Sequence, residues 1–171
     1  MSLNMIRFGI LTVSDRSARG ERADRSGPAL KEHLSAAGYP VAKASVVADE
    51  LEEISRVLVR WSDEDHLDVI LTTGGTGFAP RDVTPEATQA VVHKLTPGIA
   101  EASRAFSLSI TPHAMLSRNT AGIRGKTLII NLPGSPKAAL EILEYLLPVI
   151  PHAVSVLQED PQAEKGHTPE K

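Results

Sequence analysis

The chain contains no cysteine, which excludes a disulfide, a thiolate metal ligand and a thiol nucleophile together. Its six histidines, at 33, 66, 93, 113, 152 and 167, are scattered rather than set at ligand spacing, so they read as surface or capping residues. No apolar run reaches the ~18 residues of a membrane helix. The most hydrophobic stretch, residues 140–157, is interrupted by Glu141, Glu144, Pro148 and Pro151. Neither sign of charge dominates: 18 Lys and Arg against 21 Asp and Glu leave a formal net charge of -3, and the basic residues form no long block. Nucleic acid is therefore not an expected partner, nor is a membrane. The N-terminus lacks the basic start, apolar centre and small-residue cleavage site of a secretory signal, so a cytoplasmic location is expected. With a second methionine at Met5, residues 1–4 are expected to be an added leader.

Two nucleotide signatures are missing as well. A P-loop needs Lys-Ser or Lys-Thr closing its glycine run, whereas Gly77 is followed by Phe78-Ala79-Pro80. A dinucleotide fingerprint needs a third glycine where Pro80 stands. What the chain does have is Thr72-Thr73-Gly74-Gly75-Thr76-Gly77, leaving an apolar run and followed by Arg81-Asp82-Val83-Thr84-Pro85. Three glycines in four positions remove the Cβ groups that keep a backbone away from a ligand, and threonines add hydroxyl donors, a design suited to phosphate or another anion. A simple chain reversal over the sheet is the structural alternative.

With 171 residues, 42% of them hydrophobic, the chain suits one domain, placed at residues 5–158, with the Pro-, Glu- and Lys-rich segment 159–171 as a flexible tail. Strands are expected over 6–13, 41–47 and 67–71. Helices are expected over 27–37, with Ser26 as N-cap, and over 51–61, with Asp49 and Glu52 as a capping-box-like pair. Thr84 is expected to cap a helix opening at Pro85, and 99–109 should be helical. Residues 120–123 and 126–131, split by Arg124-Gly125, suggest a hairpin, and helices over 136–147 and 150–157 close the domain.

This alternation predicts an α/β fold, a single-domain, mostly parallel open sheet with helices on both faces, and such sheets bind ligands at the carboxyl ends of their strands. The odd polar and glycine residues fall at those ends: Thr12 to Asp15, Ala48 to Glu50, the glycine run, and Asn131-Leu132-Pro133-Gly134-Ser135-Pro136. Plainer roles remain open for each. Asp49 could be only a helix cap, Asp82 could pair with Arg81 or Arg104 at the surface, and residues 16–25 read first as a solvated mobile loop, with a substrate lid as the alternative.

Taken with Met115-Leu116-Ser117-Arg118, Ala121-Gly122-Ile123-Arg124-Gly125 and the segments already quoted, residues 6–157 resemble the molybdopterin adenylyltransferase (MogA-type) family and the G domains of larger molybdenum-cofactor proteins. The resemblance implies the molybdenum-cofactor-biosynthesis fold, a homotrimer, and transfer of AMP from ATP to the terminal phosphate of molybdopterin with release of pyrophosphate. It implies Mg²⁺ as cofactor and a molybdate-inserting enzyme as a further partner. By motif position it makes Asp49 and Asp82 the catalytic acidic residues and Gly74, Gly75, Thr76 and Gly77 the nucleotide loop. Thr12, Ser14, Ser107, Ser117, Asn131 and Pro133 would line the molybdopterin pocket.

The residue types suit that chemistry. A phosphate oxygen is already anionic, so no general base is required, and the barrier lies in bringing one anion onto another. Two carboxylates would repel ATP unless Mg²⁺ lies between them and the phosphates, which favours metal holding by Asp49 and Asp82 over acid–base work. A non-catalytic molybdopterin-binding or scaffold protein of the same fold, and a structural trimer with an architectural glycine turn, are the readings from other classes.

Overall fold

The computed structural model describes residues 5–161 and 163; the expected leader at 1–4 and most of the expected 159–171 tail lie outside the described residues. Six strands form one sheet: β1 (Phe8–Val13), β2 (Val41–Val47), β3 (Val69–Thr73), β4 (Lys94–Leu95), β5 (Ala121–Arg124) and β6 (Thr127–Leu132). Their order is β2-β1-β3-β6-β5-β4. β2, β1, β3 and β6 run parallel, and β5 is antiparallel to both β6 and β4.

Alternation along the strands sorts the core into two layers. Phe8, Ile10, Val69, Leu71, Leu128, Ile130 and Leu132 face one side, where they pack with α2 (Ser26–Ala36), α6 (Pro136–Leu146) and α7 (Ile150–Leu157). Ile99 and Phe106 of α5 (Pro97–Leu108) pack against the same cluster. Leu11, Val13, Ile70 and Ile129 face the other side, under α3 (Leu51–Asp63) and α4 (Thr84–Val91). Gly9 is needed beneath α3, because a Cβ there would come within 2.6 Å of Leu67 and 2.9 Å of Trp61.

From β1 the chain crosses through α2 to β2 on one flank, then through α3 to β3 on the other. Right-handed crossovers in opposite directions put those helices on opposite faces, and a crevice opens where the directions part, at the carboxyl ends of β1 and β3. The glycine run leaves β3 at that point.

Several local expectations are corrected. Ser26 lies inside α2 rather than capping it: the Asp24 carboxylate accepts the Gly27 N–H at 3.1 Å instead. Asp49 and Glu52 form no capping box, since Asp49 turns its carboxylate to the chain after β1. Thr84 is the first residue of α4, not its cap. A four-residue helix, α1 (Asp15–Ala18), the two-residue β4 and a 3-10 turn over Pro112–Leu116 were not expected; each is too short for hydrophobic period to register. Among the described residues no single helix is long and apolar enough to cross a membrane.

Candidate functional site

The glycine turn is held in place from three directions. Behind it, the Gly74 N–H donates to Leu132 O at 3.2 Å and the Thr73 hydroxyl donates to Pro133 O at 2.7 Å, joining the ends of β3 and β6. Below it, Thr84 donates its hydroxyl to Gly74 O at 2.9 Å and its N–H to Gly75 O at 3.1 Å. Across it, Arg118 donates through Nε to Gly77 O and through its terminal nitrogen to Asp82 O, both at 2.7 Å, while also pairing with Glu86. Gly74 and Gly75 take φ of +100° and +66°, a region costly for residues with a Cβ.

Two clefts flank this turn and share Gly75, Asp82 and Gly134 as their common wall. The larger, about 830 Å³, is lined by polar and charged groups including Thr12, Ser14, Asp24, Arg22, Arg25 and Asp49. The smaller, about 450 Å³, has Ile142, Leu116, Ala114 and Pro133 beside Ser107, Ser117 and His113.

Both candidate carboxylates abut the turn. Asp49 Oδ1 would lie 3.0 Å from a Cβ on Gly75, and Asp82 Oδ2 would lie 2.9 Å from one on Gly77. Asp82 pairs with neither Arg81 nor Arg104; one oxygen, Oδ2, accepts the N–H groups of Gly77 at 3.0 Å and Ala79 at 3.2 Å. Asp49 and Asp15 exchange backbone-to-carboxylate hydrogen bonds, Asp15 N–H to Asp49 Oδ2 at 2.7 Å and Asp49 N–H to Asp15 Oδ1 at 3.0 Å. Arg81 closes the arrangement with a two-pronged grip on Asp15 at 3.0 Å and a third bond to Glu50 at 2.7 Å. Of the N–H groups in the turn itself, those of Gly74 and Gly77 are engaged within the protein, while those of Gly75 and Thr76 donate to no protein acceptor.

The electrostatics of the pair differ from those of an ordinary surface acid. Burial pushes the Asp49 carboxyl above its usual 3.8, and the charges of Asp15 and Asp82 push the same way against the Asp15 N–H and Arg81. The Arg81 guanidinium holds Asp15 below that value, with the Asp49 N–H helping. A carboxyl whose folded pKa is raised weakens the fold while ionised, and the deficit is relieved as pH falls through that raised pKa. Asp49→Asn, which keeps an oxygen for the Asp15 N–H, should therefore unfold at a higher temperature than the parent at pH 7. The gap should close as pH falls below about 4, where the parent's carboxyl is also neutral. Thermal melts between pH 3 and 8 check this; a variant less stable than the parent at pH 7 would contradict it.

The residues expected to line one molybdopterin pocket are divided. Thr12 and Ser14 line the larger cleft, Ser107, Ser117 and Pro133 the smaller. Three of them have their hydroxyls engaged: Thr12 donates to Asp24 at 2.7 Å, Ser14 caps α1 by accepting the Ser17 N–H at 3.2 Å, and Ser117 donates to Asn119 Oδ1 at 3.1 Å. Contrary to expectation, Asn131 lines neither cleft. It is fully buried on the α4 side of the sheet, donating to the Thr72 and Thr88 hydroxyls at 2.9 and 2.8 Å. Gly74 faces the larger cleft and Thr76 and Gly77 the smaller, so the run divides the two spaces. Among the described residues no three His, Asp or Glu side chains gather as a metal site.

Three contributors had no expected role. Arg118 stood in a quoted motif, but a single arginine after a loop serine gives no periodic signal. Thr84 looked like a cap. Asp24 could have been found from its place before Ser26-Gly27-Pro28, a helix-start pattern in which Asp is the usual acceptor.

A family model described as "probable molybdopterin binding domain" matches residues 9–152. The chain is 45% identical over 159 residues to a molybdopterin adenylyltransferase of Helicobacter pylori, covering 91% of this chain and 89% of the relative. It is 47% identical over 165 residues to gephyrin of Dictyostelium discoideum, covering 91% of this chain and 23% of that longer protein. The solved structure of the molybdopterin biosynthesis enzyme MoaB from Thermus thermophilus superposes with a TM-score of 0.86 at 53% identity, covering 92% of this chain and 99% of that one.

Proposed function

The chain belongs to the molybdopterin-binding domain family and acts in molybdenum cofactor biosynthesis as a molybdopterin adenylyltransferase; we propose that it joins its substrates across the glycine turn, one in each cleft. The observation that carries this is the shared wall: Gly75, Asp82 and Gly134 border both spaces, so groups held in the two clefts meet there. The larger, polar cleft takes ATP with its phosphates, and the smaller, more apolar one takes the pterin. Thr12 and Ser14 then belong to the nucleotide side.

The attacking molybdopterin phosphate is already an anion, and no residue has to remove a proton from it. The unengaged N–H groups of Gly75 and Thr76 are placed in the turn to meet negative charge growing at the α-phosphate, a contribution of roughly 3 to 4 kcal/mol per well-aimed donor. Asp49 and Asp82 would supply hard oxygen ligands for Mg²⁺, an ion that favours one or two carboxylates together with phosphate oxygens and water. The donor set fits: two carboxylates against one turn, one of them half-buried beside like charges that a cation would offset. When bound, Mg²⁺ neutralises phosphate charge so that the two anions can approach.

Exposed Leu95, Leu108, Ile110 and Met115 are apolar side chains that a homotrimer would cover, and the product would pass in the cytoplasm to a molybdate-inserting enzyme. Incubation with molybdopterin and MgATP should yield adenylylated pterin by mass spectrometry, with pyrophosphate in equal amount. Pterin bound without any adenylylated product would instead support a binding-only scaffold. Light scattering on the same preparation should give three times the 18.3 kDa chain mass.

A further inference from the structure

Most arginines of the described chain are engaged. Arg19, Arg60, Arg81, Arg118 and Arg124 pair with carboxylates, and Arg7 and Arg104 donate to backbone carbonyls. Arg16, Arg22, Arg25 and Arg56 do neither, and of these four Arg22 and Arg25 line the larger cleft. Between them, Asp24 fixes the segment to the end of β1: it accepts the Thr12 hydroxyl at 2.7 Å and the Gly27 N–H at 3.1 Å. The approach is tight enough that a Cβ on Gly27 would fall 2.4 Å from Asp24 Oδ2 and 2.7 Å from the Thr12 hydroxyl. Asp24 thus mounts the segment on the sheet, with Arg22 before it and Arg25 after it in the chain. In the lining of the larger cleft, Arg22 and Arg25 come from the segment before α2, whereas Asp49 follows β2 and Asp82 follows β3.

We propose that Arg22 and Arg25 seat the β- and γ-phosphates of ATP and receive the charge of the departing pyrophosphate, making the cleft selective for nucleoside triphosphates over monophosphates. This rests on the reading of the larger cleft as the nucleotide site. In the transfer, a molybdopterin phosphate oxygen forms a bond to the α-phosphorus. The bond from that phosphorus to the bridging oxygen of the β-phosphate breaks, and its electron pair stays on pyrophosphate. The leaving group gains negative charge in that step, and planar guanidinium donors match its oxygens in pairs. Nothing in the step requires another proton, electron or co-reactant. A triphosphate spanning the cleft would have its α-phosphate at the glycine turn beside the carboxylates and its distal phosphates at the arginines.

Calorimetric titration of MgATP, MgADP and AMP into the parent, Arg22→Gln/Arg25→Gln and Arg22→Lys/Arg25→Lys tests this, with thermal melts as the folding control. The parent should bind ATP most tightly and AMP least. The Gln pair should lose about tenfold in ATP affinity per arginine with AMP affinity and melting temperature unchanged. The Lys pair should recover part of the loss, since point charges replace forks. Two solvated surface arginines would leave all three nucleotides unaffected, and that result, or an equal fall for ATP and AMP, overturns the assignment. If the parent binds none of the three, the nucleotide reading of the cleft fails and takes this assignment with it.

Discussion

Asp82→Asn should retain the parent's stability and lose on the order of a hundredfold or more in adenylyl transfer, whereas Asp82→Ala should lose the transfer and melt at a lower temperature as well. The distinction follows from how the side chain is used. A single oxygen, Oδ2, accepts both backbone bonds, from Gly77 and Ala79, which leaves Oδ1 free of any protein donor. An asparagine can keep its carbonyl oxygen on those two N–H groups and present an amide where the free oxygen stood. The geometry of the turn survives while one negative charge and one metal-holding oxygen vanish. Alanine removes the acceptor as well, stranding the partly buried Gly77 N–H at a cost of about 1 to 2 kcal/mol and loosening the turn both clefts share, while the exposed Ala79 N–H turns to water. Pyrophosphate release under saturating substrates, run beside thermal unfolding, separates the two effects. Partial rescue of the Asn variant by raised Mg²⁺ would favour metal holding over positioning. Near-parent release by that variant would refute the role altogether.

The sheet and the rim were legible because each rests on a repeated signal. Apolar strands alternating with helix-period segments allow few arrangements, and glycine or acidic residues at four strand ends point to one edge. Side-chain direction at that edge was legible only in part. Asn131 shows why: Leu128, Ile130 and Leu132 face α6, so alternation sends Asn131 to the opposite face, where it registers beside Thr72. Membership in a loop motif concealed that period-two constraint. Asp49 and Thr84 fail differently. Both are residue types that commonly cap helices, and local pattern cannot reveal that Asp49 has an acceptor duty to Asp15, 34 positions away, or that the Thr84 hydroxyl serves Gly74, ten positions back. The division of the site into two clefts is likewise a property of the folded turn, set by its contacts with Leu132, Pro133 and Arg118. No contiguous stretch of sequence encodes it.

Gly74→Ala should be the most damaging single methyl group in the chain, costing about 4 kcal/mol or more and abolishing transfer. Two penalties act together. At φ +100° an alanine carries backbone strain of roughly 1 to 2 kcal/mol wherever it sits. Its Cβ would also fall 2.3 Å from the carbonyl oxygen of Val13, a backbone atom of β1 that cannot rotate away as a side-chain tip would. Gly134 comes so near that a Cβ on it would lie 3.3 Å from Gly74 Cα, so a shift of the turn also disturbs the chain after β6. Relief therefore requires separating the ends of β1, β3 and β6, which breaks the Gly74-to-Leu132 bond and displaces the wall common to both substrates. Set against a typical total stability of about 5 to 15 kcal/mol, such a loss leaves a protein close to unfolding. Gly98→Ala is the control: it lies in α5 with nothing within 4 Å of the added carbon, so it should be neutral or stabilising by up to about 1 kcal/mol. Urea unfolding of both variants decides the matter. A Gly74→Ala protein as stable as Gly98→Ala would mean that β1 does not press against the turn and that the two clefts are not held apart in this way.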